Sequence, residues 1–90
     1  MKKTIEIEYV GFEDVWQILE YSRAVMSRGH YVNFSINNIE GIPLVCVKIM
    51  IDGFVVSGKY DYSYEFYMSD KENDVITMNN CKSMLKNLLV

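Results

Sequence analysis

The sequence predicts one α+β domain spanning residues 1–90, a two-layer sandwich in which two helices cover one face of an antiparallel sheet. Three observations predict it. The apolar period switches from 2 to 3.6 and back along the chain. Residues 31–67 are strand-like and interrupted only by short turn signals, so consecutive strands there must run antiparallel. Each of the two 3.6-period stretches carries one apolar face that needs a sheet to cover. The expected order is β-α-β-β-β-α, with four strands, or five if Ser57-Gly58 divides the last one.

Thr4 to Val10 alternates strictly, with Ile5, Ile7 and Tyr9 on one face and Thr4, Glu6 and Glu8 on the other, which is the pattern of a half-buried strand. Gly11 breaks the period. From Phe12 to Arg28, apolar residues recur at helical spacing, with Glu13 and Asp14 in the first turn, Arg23 and Arg28 near the end and Gly29 as the stop. Tyr31 to Asn37 reads as a second strand with Val32, Phe34 and Ile36 inward, and Asn38 to Pro43 as a turn. Leu44 to Ile51 is apolar on both faces apart from Lys48, as in a central strand. Asp52-Gly53 is the strongest hairpin signal, which starts the return strand at Phe54. Tyr60, Tyr62, Tyr64 and Phe66 then alternate with Asp61, Ser63, Glu65 and Tyr67, an aromatic ladder against an acidic row. Asp74 is placed to cap a last helix bearing Val75, Met78, Cys81, Met84, Leu85, Leu88 and Leu89.

Composition bounds the function. Half of the residues are apolar and 23% are charged, which excludes a disordered chain. So short a chain hides only about 60–65% of its unfolded surface, and the apolar surplus is expected to serve an interface. The net charge of −3 is local: Asp52 to Asp74 holds six acids against two lysines. No basic cluster offers the footprint that direct nucleic-acid binding needs. No apolar run reaches membrane-spanning length and no signal-peptide core follows Met1-Lys2-Lys3, so a cytoplasmic protein is expected, with Cys46 and Cys81 as packed free thiols. Residues with AT-rich codons outnumber Gly, Ala, Arg and Pro several-fold, and Ala24 is the one alanine, a skew expected of a low-GC bacterium, its phage or a mobile element.

No catalytic, metal or cofactor site is expected. His30 has no partner placed by spacing, one histidine and two separated cysteines cannot complete a zinc site, and no glycine opens a phosphate loop. The residues expected to meet a partner are the acids Asp61, Glu65, Asp70, Glu72 and Asp74, with Trp16, Tyr21 and Tyr67 as aromatic anchors. Trp16 and Tyr21 lie at the margin of the first helix's apolar stripe and, if exposed, form a docking patch with Met26.

In size, acidity and lack of chemistry the chain resembles the general type of small inhibitors that AT-rich bacteria and phages encode, anti-CRISPR proteins among them. That likeness implies a non-enzymatic protein-binding module engaging a host protein or nucleic-acid-handling complex. Two alternatives stand beside it: a self-associating regulatory domain forming a homodimer, and a small-ligand binder or enzyme built from tyrosines and His30. The helices are expected to cover the face bearing Ile5, Ile7, Tyr9, Val32, Phe34, Ile36, Val45, Val47, Ile49 and Ile51. The tyrosine ladder joins that face unless Gly58 flips the register, which leaves Asp61, Ser63 and Glu65 on the open side.

Overall fold

The computed structural model describes residues 8–90. Among these, helix α1 (Phe12–Ser27) precedes three strands, β1 (Tyr31–Ile39), β2 (Ile42–Met50) and β3 (Tyr62–Tyr67), and helix α2 (Glu72–Asn87) follows them. The strands form one antiparallel sheet in the order β1-β2-β3, a meander with β2 at its centre. The α+β class and the two covering helices are as the sequence predicts; the strand count is not. The expected first strand, Thr4–Val10, lies outside the described residues except for Glu8–Val10, and those three residues are not a strand. Val10 is buried and donates its N–H to the Ser69 carbonyl at 2.8 Å, while Tyr9 is exposed, the reverse of the expected alternation.

The sheet register explains the core. Val32, Phe34 and Ile36 lie opposite Ile49, Val47 and Val45, and these in turn lie opposite Tyr62, Tyr64 and Phe66, so period 2 puts all nine on one face. Both helices lie on that face. Val45, Val47, Ile49 and Phe66 are wholly buried beneath Val15, Ile18 and Val25 of α1 and Val75, Met78, Cys81 and Leu85 of α2. Tyr62, Tyr64 and Phe66 of the ladder therefore point to the helix-covered side, with Asp61, Ser63 and Glu65 exposed, while Tyr60 lies outside β3. Ile36 is exposed because the helix cover ends short of the β1–β2 hairpin tip, whereas Ile39 and Ile42, paired with each other, fall on the open face by the same alternation.

Three local expectations are corrected. The turn from Asn38 to Pro43 tightens to two residues, Glu40 and Gly41, both at positive φ (51° and 87°) as a two-residue hairpin requires; Asn38 and Pro43 are paired strand residues. The missing N–H of Pro43 falls past the end of β3, where its carbonyl accepts from Met68 N–H, so no ladder bond is lost. Asp52 and Gly53 also take positive φ (65° and 111°), yet no strand returns at Phe54. Residues 51–61 instead fold across the open sheet face, with Val55 N–H meeting the Met50 sulfur and Phe54 against Tyr31, before β3 begins at Tyr62. Asp74 is not a cap: α2 starts at Glu72, and the Asp74 carboxylate accepts from Tyr67 N–H (3.0 Å) and the Ser69 hydroxyl (2.6 Å), tying the end of β3 to the helix start.

Helix α1 opens at Gly11, whose N–H donates to the Asp14 carboxylate at 2.9 Å, and stops where Gly29 takes φ +93°, a dihedral that favours glycine. The same carboxylate accepts from Lys82 Nζ at 2.6 Å, the one ion pair among the described residues, and so holds α1 to α2. Burial would raise the Asp14 pKa, but the Lys82 hydrogen bond, the Gly11 N–H and the Lys82 charge outweigh it, and the carboxyl sits below its ordinary value. A lowered folded pKa adds stability above the ordinary carboxylate range that is lost as pH falls through the lowered value. We expect Asp14→Asn to lose about 2 kcal/mol at neutral pH and to flatten the acid limb of stability, read by urea unfolding between neutral pH and pH 3. Ser22 on the inner face of α1 is fully buried, and its hydroxyl has no partner among the described residues. Ser22→Ala should therefore raise stability by about 1 kcal/mol; a loss of that size would mean the hydroxyl is satisfied.

Candidate functional site

Helix α1 carries two apolar rows where the sheet needs one. The inner row, Val15, Ile18, Ser22 and Val25, is buried against the sheet and α2. The outer row is exposed: Phe12 keeps 72% of its surface, Trp16 54% and Met26 45%, with Leu19 between them and Tyr9 adding its ring at the helix start. Phe12, Glu13, Trp16 and Gln17 line an open hollow of about 540 Å³ there. Arg23 is the one charged side chain within this row, and large aromatic and methionine side chains exposed together are what protein interfaces use and what isolated surfaces avoid.

The eight residues expected to meet a partner are divided among several places. Trp16 stands in the exposed row. Tyr21, on the other side of the helix, is half-buried against the core with Lys86 Nζ 5.5 Å above its ring. Tyr67 is half-buried on the open sheet face opposite Leu44, and Glu65 is exposed on that face opposite Cys46. Asp70 and Glu72 are exposed at the β3–α2 junction, beside the half-buried Asp74. Two of the acids already have structural work: Asp61 accepts from Ile51 N–H at 2.7 Å, closing the 51–61 loop, and Asp74 joins strand to helix.

Sequence reasoning missed a second aromatic group. Tyr60 leaves the ladder and stacks on Tyr31 (centroids 6.5 Å apart), Phe54 tilts against Tyr31 at 5.0 Å, and Lys48 Nζ lies 5.5 Å above the Tyr60 ring. These residues occupy the end of the open face where Tyr31 pairs with Met50. Phe54, Val55 and Val56 remain largely exposed around them. No period in the sequence signals this group, because its members come from a strand edge and a loop.

His30, Cys81 and Tyr64 are each engaged with the fold. His30 Nδ1 accepts from Asp52 N–H at 3.1 Å and so anchors the turn after β2. Burial pushes the Cys81 thiol up to about 12, and burial together with Cys81 and Tyr62 raises the Tyr64 phenol. Among the described residues no group of three or more His, Cys, Asp or Glu side chains is placed to hold a metal ion, and no helix is long and apolar enough to cross a membrane. No family model, curated protein or solved structure matches the chain. In the native protein a thiol reagent should modify half-buried Cys46 and leave Cys81 until denaturant is added; two thiols reacting at one rate would contradict the burial of Cys81.

Proposed function

We propose that this chain is a non-enzymatic protein-binding module that docks through the outer face of α1. One observation carries the reading: Phe12, Trp16, Leu19 and Met26, with Tyr9, present an apolar, aromatic row to solvent on a helix whose own core contacts are already satisfied by a separate row. The exposed acids at Glu65, Asp70 and Glu72 add a negative field that would steer a basic partner toward the protein. With the AT-rich codon bias, this favours a small phage or mobile-element inhibitor of the anti-CRISPR type, acting on a host protein by occupancy rather than by chemistry.

The test is affinity capture from the source cell with the wild-type chain and with the Phe12→Ala/Trp16→Ala variant. Both residues are exposed, so the variant should unfold within about 0.5 kcal/mol of wild type while retaining less than about a tenth of the captured partner. Undiminished capture by a folded variant would show that the docking surface lies elsewhere.

A further inference from the structure

The exposed row is spaced so that a second helix can pack along it. Phe12, Trp16, Leu19, Arg23 and Met26 follow one another at intervals of four, three, four and three residues, the heptad seam of a coiled coil, and all five are exposed. At about 1.5 Å per residue the seam is roughly 21 Å long, enough to receive two turns of heptad packing from a helix laid alongside. The inner row, Val15, Ile18, Ser22 and Val25, borders the seam on one side, so the open flank is the other.

That flank is acidic. Glu13 and Glu20 each follow a seam residue by one position, Gln17 lies between them, and neither glutamate reaches a basic side chain among the described residues. Residues at this position in a coiled coil face the partner's flank and set its choice by charge. A second copy of the chain fits poorly. Parallel docking would set Arg23 against Arg23, and antiparallel docking would set Glu13 and Glu20 against one another, like charges in either case. We propose that the partner's docking element is an amphipathic helix whose flank carries lysine or arginine, seated on α1 as a short two-stranded coiled coil. This rests on the docking reading above and adds the chemistry of the partner.

Two synthetic helical peptides of about three heptads test it, both with leucine at the seam positions, one flanked by lysine and its twin by glutamate. Trp16 is the single tryptophan, so its emission reports docking directly. The lysine-flanked peptide should shift Trp16 emission to shorter wavelength and bind at least about tenfold tighter than its twin at low salt, with the gap narrowing as salt rises. Glu20→Lys should abolish or invert the preference, while Glu40→Lys, the same change of net charge at the hairpin tip, should leave it intact. Equal binding of the twins, no binding of either, or an equal effect of the two substitutions would overturn the proposal. So would acrylamide shielding of Trp16 in the free monomer, or a dimer in sedimentation that Trp16→Ala dissociates. If the peptides fail while Phe12→Ala/Trp16→Ala still abolishes partner capture, the helix chemistry is wrong and the docking face stands; if capture survives that variant, the docking face itself is wrong.

Discussion

The placement of β2 between two antiparallel neighbours governs the rest of this structure. A central strand has no free edge, so its register is set from both sides at once, and a slip of one residue would turn Val45, Val47 and Ile49 out of the core together. With those three fixed, Val32 and Phe34 on one side and Tyr64 and Phe66 on the other must face the same way. The helices then have one surface to cover. Asp14 with Lys82 joins them to each other, and Asp74 joins α2 to the end of β3, each by hydrogen bonds that also satisfy a backbone or side-chain donor.

The three strands and two helices of the described residues cannot enclose every apolar side chain of so short a chain, and much of the overflow collects in three places. It lies along the outer row of α1, on the loop at Phe54, Val55 and Val56, and at the hairpin tip at Ile36 and, on the open face, Ile39 and Ile42, with Ile76 of α2 and Val90 exposed apart from these. The three differ in order. The α1 row is held on a helix braced against the core, whereas the other two sit on a loop and at a hairpin tip. A rigid row loses less conformational freedom on docking than a loop does, which is why the functional reading favours α1.

Period-based signals proved legible where a whole row is buried, as in β3, and failed at Tyr9, while single-residue signals were less legible. The alternation of Tyr62, Tyr64 and Phe66 with Ser63 and Glu65 placed each side chain on the correct face, because burial of a whole row enforces it. Tyr60 obeyed the same alternation on paper but lies outside β3, and its stacking on Tyr31 decided its position. Asp52-Gly53 has the dihedrals of a hairpin turn without the hairpin, since turn chemistry fixes two residues while contacts made by Phe54 and Val55 fix where the chain goes next. Asp74 looked like a cap because caps and third positions of helices favour the same carboxylate. Trp16 was legible as a marginal aromatic, but the seam it belongs to was hidden by Arg23, a charged residue in an apolar pattern, and by the adjoining inner row.

The meander also has a consequence in time. Each strand pairs with the one made just before it, so the β1–β2 hairpin closes a loop of two residues and can form before β3 has left the unfolded ensemble. Its inner face then presents Phe34 and Val47 as a template on which β3 and α2, the last elements in the chain, can settle. Helix α1 is the opposite case: its tie to α2 joins Asp14 to Lys82, 68 positions apart, so the first helix of the described residues can be locked in place only once the last one is present.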